Sequence, residues 1–133
     1  MGRALLVIAI LAALAAAGAG VGLTWLERSN KAAAARLDER EAYWADTVKA
    51  AVPLGADRDK VERWLETLPD AGQEEGQPLG YNADTHAYLV TPEAVPSGGF
   101  RFPCASRPIA VEVTMGADGT VIRREAHVSG SCV

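Results

Sequence analysis

The chain has 133 residues, 49% of them hydrophobic, with 13 basic and 17 acidic residues and a formal net charge of −4 at pH 7. Such a balance, with no clustered basic face, gives no support to nucleic-acid binding. Cysteine occurs only twice, at positions 104 and 132, and no internal repeat is present.

Residues 4–26 form an unbroken apolar run of 23 residues, preceded by Arg3 and closed by Glu27, Arg28 and Lys31. At roughly 1.5 Å per residue a helix of that length reaches about 34 Å, enough for a hydrocarbon core of about 30 Å. Trp25 stands where an interfacial aromatic is expected. The run therefore predicts a transmembrane anchor over residues 1–26. A cleaved signal peptide is the competing reading, with Arg3 in its n-region and Ala17-Gly18-Ala19 as a small-x-small site before Gly20. The anchor is preferred because apolar character continues past that site to Leu26. Counting Arg28, Lys31 and Arg36 against Arg3 leans slightly against an exported C-terminus. The short signal-like n-region and the cysteine pair favour export instead. The expected location is the inner membrane, single-pass, with the C-terminal domain in the periplasm, or secretion to the periplasm after cleavage behind Ala19.

Residues 27–52 predict a stalk helix. Its alanine run is strongly helix-forming, and Glu27 precedes Lys31 by one turn in the favourable orientation. Leu37, Trp44, Val48, Ala51 and Val52 follow one stripe that Arg40 and Glu41 interrupt, so the stalk is expected to dock only late onto the domain. Together with the anchor it is expected to form one long rod.

Residues 53–133 are expected to form one small domain. A helix starts after Asp57, a good N-cap, with Asp59 in its first turn and Pro69 at its far end. Val61, Trp64, Leu65 and Leu68 give it a single apolar face. Residues 70–80 read as loop. Residues 85–90 predict a strand with His86, Tyr88 and Val90 on one face, and residues 100–104 a further short strand. The strongest pattern is a hairpin. Ile109, Val111, Val113 and Met115 alternate with polar or small residues, residues 116–119 turn, and Ile122, Ala126 and Val128 return on one parity. The expected fold class is α+β: a transmembrane and stalk helix, then one amphipathic helix on a small antiparallel sheet of three to four strands ending in a hairpin.

If Met115 faces Thr120, residue 104 faces residue 131, one position from Cys132. The hairpin thus carries Cys104 and Cys132 toward disulfide distance. Closing a loop of about 29 residues would stabilise the domain by roughly 3–4 kcal/mol in the chain-entropy model. The same cysteines with His86 and His127 would make four zinc ligands, but no pair has the close spacing of such sites.

Catalytic chemistry finds little support. Asp57 and Asp59 sit at a helix start, where capping explains them. Ser97, Ser106, Ser129 and Ser131 lack a nucleophile-elbow context. Gly98-Gly99 makes no phosphate loop, and Gly18 and Gly22 are ordinary membrane glycines as readily as a helix-pairing motif. No catalytic residue, cofactor, metal ligand or small-molecule substrate is inferred. The partners expected are the membrane, through residues 4–26, and a protein of the cell envelope. Trp44, Phe100 and Phe102 are the candidate interaction surface.

Residues 54–65 (LGADRDKVERWL) resemble the opening of small bacterial envelope domains in which a glycine and short polar cap precede a V-x-x-W/L-L helix and a meandering sheet. The outer-membrane assembly lipoproteins of the SmpA/OmlA (BamE-like) type look like this. The resemblance implies a similar fold and a non-catalytic binding module, and it assigns no functional residue. This chain has no lipobox cysteine after its apolar segment and carries a long stalk before the glycine. A weaker resemblance is to type IV pilins and pseudopilins, which share an apolar N-terminal helix, an amphipathic continuation, an antiparallel sheet and a C-terminal disulfide. Here Gly2-Arg3-Ala4 stands where those proteins have a glycine-phenylalanine processing site. That resemblance implies a structural subunit.

Overall fold

The structure, a computed structural model, describes residues 2–69, 80–97 and 105–130, with side chains from Leu6 onward. It is α+β. Helix α1 (Gly2–Ala51) is followed by α2 (Arg58–Leu65), β1 (Tyr81–Asn82), β2 (Ala87–Pro96), β3 (Ser106–Met115) and β4 (Val121–Val128). The strands form one antiparallel sheet in the order β1-β2-β3-β4.

Anchor and stalk are one helix of 50 residues. No proline and no capping sequence interrupts residues 2–51, so nothing in the chain stops helical propagation between them. From Leu6 to Trp25 every residue is exposed, and α1 is one helix long and apolar enough to cross a membrane. The C-terminal half behaves otherwise. Residues 30, 33, 37, 40, 44, 48 and 52 are partly or fully covered, a stripe with the three- and four-residue steps of one helix face. Docking therefore begins within a few residues of the apolar run, earlier than the interrupted stripe predicts, because Arg40 finds a partner on the sheet instead of solvent.

Pro53-Leu54-Gly55 turns the chain, with Gly55 at φ +81°. This connector pairs with the start of β4. Gly55 N–H donates to the Val121 carbonyl and Val121 N–H to the Ala56 carbonyl, both at 2.9 Å. Asp57 then caps α2 as its sequence predicts, its carboxylate accepting from Lys60 N–H at 2.8 Å. Val61 and Leu65 are buried, while Trp64 and Leu68 pack on the core from its rim. Substituting Asp57→Ala is expected to cost about 1 kcal/mol, measured by thermal unfolding of the full chain in detergent.

The sheet departs from expectation in three places. His86 lies outside the strand, in the β1–β2 turn at φ +52°, and only Tyr88 and Val90 of the predicted face turn inward. Strand β2 runs on through Pro92 to Pro96, beyond the predicted end at Val90. A bulge between Val90 and Glu93 accommodates Pro92, which cannot donate to a ladder. In the β3–β4 hairpin Met115 pairs with Val121, not Thr120, and a bulge next to it makes Thr114 face Arg123. That bulge turns Val121 into the core and leaves Ile122 outside, where it lies over Gly116. Arg124, Ala126 and Val128 keep the inward parity. The predicted loop over 70–80 and strand over 100–104 fall outside the described residues, apart from Gly80 at φ +68°.

The core lies between one sheet face and the two helices. Trp44, Val48 and Val52 of α1 and Val61 and Leu65 of α2 meet Tyr88, Val95, Ile109, Val111, Val113, Met115 and Val121. Among the described residues no polar or charged residue is fully buried. Tyr88, the largest of the completely buried side chains, donates its hydroxyl to Glu62 at 2.6 Å. Burial and that hydrogen bond both raise its pKa.

Candidate functional site

The seam between α1 and the ends of β2 and β3 holds the arrangement with most chemical content. Its upper part is a clamp. The Arg40 guanidinium donates to both oxygens of Glu93, with contacts of 2.7–3.0 Å, and Trp44 Nε1–H donates to Glu93 Oε2 at 2.7 Å. Arg40 also lies over the Tyr43 ring, 4.2 Å from its centre. The Arg40 hydrogen bonds, aided by Trp44, hold the Glu93 carboxyl below its usual range, although partial burial opposes them. Three polar groups thus satisfy one another on an otherwise apolar helix face. The bulge before Glu93 sets that carboxylate opposite Arg40.

Below the clamp, toward the apolar half of α1, lies a cavity of about 80 Å³ lined by Asn30, Ala33, Ala34, Leu37, Val95, Pro96, Ser97 and Arg107. Asn30 Oδ1 and Ser97 Oγ are both shielded from solvent and make no hydrogen bond. Arg107 pairs in register with Val95 and shares the parity of Ile109, which places it on the helix-facing side of the sheet. Among the described residues it meets no carboxylate. Buried polar groups ordinarily find partners, so two orphaned atoms and an unpaired cation around one small space mark it as incomplete.

Of the residues singled out by sequence, Trp44 is reassigned. It is 7% exposed, packed in the core and hydrogen-bonded to Glu93, so it is not available as an interaction surface. Phe100, Phe102, Cys104 and Cys132 lie outside the described residues. The two histidines of the four-ligand zinc alternative stand beside different parts of β3, His86 at its C-terminal end and His127 at its middle. The His86 carbonyl accepts from Met115 N–H, whereas His127 pairs with Ala110. Five strand residues separate those positions, about 17 Å, too far to share one ion.

Asn30, Arg40, Glu93, Ser97 and Arg107 were not foreseen. Arg40 left a trace in the sequence, a lone charge three residues after Leu37 and four before Trp44 on an apolar stripe. Arg107 left another, since it continues the inward alternation of Ile109, Val111 and Val113. Glu93 and Ser97 left none, because the strand that holds Glu93 and ends just before Ser97 was recognised only to Val90. Comparison of the chain with protein-family models, with curated proteins and with solved structures finds no match in any of the three.

Proposed function

We propose that the chain is a membrane-tethered, non-catalytic interaction module of the cell envelope, held in the inner membrane by residues 4–26 with its α+β domain in the periplasm. The continuity of α1 carries this reading. One helix leaves an exposed apolar segment and enters the domain core without a break, so the domain is coupled to its anchor as a rigid body. Its orientation relative to the bilayer then follows from the helix itself. A bridge between Cys104 and Cys132 belongs to the same proposal. The described part of β3 begins at Ser106 and that of β4 ends at Val128, at the same end of the strand pair, which supports the pairing.

The test is made on native protein. N-terminal sequencing is expected to begin at Met1, and both thiols are expected to resist alkylation in denatured, unreduced protein. A start at Gly20 would replace the tether with secretion. Reactive thiols without reductant would remove export.

A second reading, a pilin- or pseudopilin-like structural subunit, draws on the division of α1 into an exposed apolar half and a half packed on an antiparallel sheet. It requires a mature N-terminus produced by a peptidase cutting close to Gly2 and self-association through the apolar half. The same sequencing experiment separates the two readings.

A further inference from the structure

The cavity between Asn30 and Arg107 has a defined height above the anchor. Because α1 is continuous, Asn30 stands about 6 Å and Leu37 about 16 Å beyond Leu26 along the axis. The headgroup layer of a bilayer is roughly 5–8 Å thick on each side. The lower rim of the cavity, at Asn30, therefore lies at headgroup level, and its upper end at Leu37 stands about 10 Å above that layer.

Its lining has one sign of charge. None of the eight lining residues is acidic, although the chain as a whole carries more acids than bases. Arg107 contributes a guanidinium without a carboxylate partner among the described residues, and Arg28, Lys31 and Arg36 follow the apolar run on the same helix, against Glu27, which pairs with Lys31 at 2.8 Å. The Ser97 hydroxyl has no partner among the described residues and can donate. The Asn30 amide can equally do so, since its oxygen and nitrogen exchange places by a flip of the group. Two neutral donors and one planar cation around a small space suit an oxyanion. The volume is far below the roughly 300–1,000 Å³ of small-molecule sites, which leaves room for a single headgroup moiety and not for a metabolite.

We infer that this cavity binds the phosphodiester of a membrane phospholipid, with Arg107, Ser97 and Asn30 donating to its oxygens and the lipid chains continuing down the apolar half of α1. The inference rests on the tether reading given above. It makes the seam a seat for the headgroup at the point where the domain meets the membrane.

The full chain, purified in detergent and supplied with phosphatidylglycerol, is expected to retain one phospholipid in native mass spectrometry through delipidating washes. Arg107→Gln should weaken retention by about tenfold or more, the usual value of a charge-assisted hydrogen bond. Ser97→Ala separates binding from folding, because it removes a hydroxyl with no partner among the described residues. It is expected to reduce retention while leaving the melting temperature unchanged or higher. Arg123→Gln, whose guanidinium is held by Glu112 and Glu125 on the opposite sheet face, should retain lipid as the parent does. Equal retention by Arg107→Gln and Ser97→Ala would assign the lipid to the apolar helix alone and overturn the inference. So would occupancy by inorganic phosphate or glycerophosphate with an affinity matching that of the lipid. Flotation with membranes is measured in parallel. A parent chain that fails to float overturns the tether reading and this inference together, whereas one that floats with variants unaffected overturns only this inference.

Discussion

Replacing Trp44 by alanine is expected to lower the stability of the full chain in detergent by about 3–5 kcal/mol, the range for emptying a large aromatic site in a core. The ring sits among Val48, Val52 and the inner face of the sheet, and it meets Tyr43 edge-on with ring centres 5.4 Å apart. Deleting it opens a cavity on the helix that joins domain to anchor and also removes the indole donor to Glu93. Near-UV circular dichroism during urea unfolding reports the loss, since it follows tertiary packing and not the helix within the micelle. A surface aromatic would change stability by less than about 0.5 kcal/mol, so the measurement separates a core role from a binding role. Trp44→Phe is expected to recover most of the loss, leaving about 1 kcal/mol for the missing hydrogen bond.

Removing Glu93 has the next largest expected effect. Glu93→Ala leaves the Arg40 guanidinium and the Trp44 N–H unsatisfied on the docking face, and a loss of about 2 kcal/mol is expected. The figure lies below that for a fully buried pair because the two side chains keep 37% and 29% of their surface, so solvent screens the interaction. Replacing both charges, as in Arg40→Met with Glu93→Leu, should recover much of the loss, since apolar groups of similar size leave only the indole unpaired.

The pH dependence has a definite sign. The folded-state carboxyl of Glu93 titrates below its ordinary value of 4.5, chiefly through the Arg40 hydrogen bonds. Its stabilising contribution is fully present above pH 4.5 and is lost as pH falls through the depressed value. The stability gap between the parent and Glu93→Gln should accordingly be constant near neutrality and shrink under acid. A gap that widens on acidification would contradict this account of the clamp.

Helix α2 was legible because its signals are local: a capping aspartate, an acidic first turn and apolar residues on one face, all within a dozen residues. The β3–β4 hairpin was legible for a similar reason, since alternation and a glycine-bounded turn are neighbours in the chain. Its register was not. A bulge beside Met115 changes the pairing by inserting one residue, and no residue type announces it. Strand β2 was legible only to Val90, whereas it runs on to Pro96, with Pro92 in a bulge and Pro96 at the strand's end, where a missing donor costs little. The two-residue β1 leaves no periodic signal at all.

The candidate site was less accessible still. Arg40 and Glu93 lie 53 residues apart, and Asn30 reaches Ser97 and Arg107 across the same seam. Read alone, Arg40 is an interruption of an apolar stripe, and Arg107 a charge at a strand's beginning.

What the sequence determined by itself is what depends on neighbours: an apolar segment long enough to span a bilayer, the helical run that continues from it, the capped second helix and the turn of the last hairpin. Only the tertiary structure decided how early the long helix docks, which of its polar residues face the sheet, and that a small cavity beside Arg107 opens between that helix and the sheet. The physical reason is that capping, propensity and periodicity act over a few residues. The partner of a charge, or the lack of one, is settled by segments distant in the chain, once packing has brought them together.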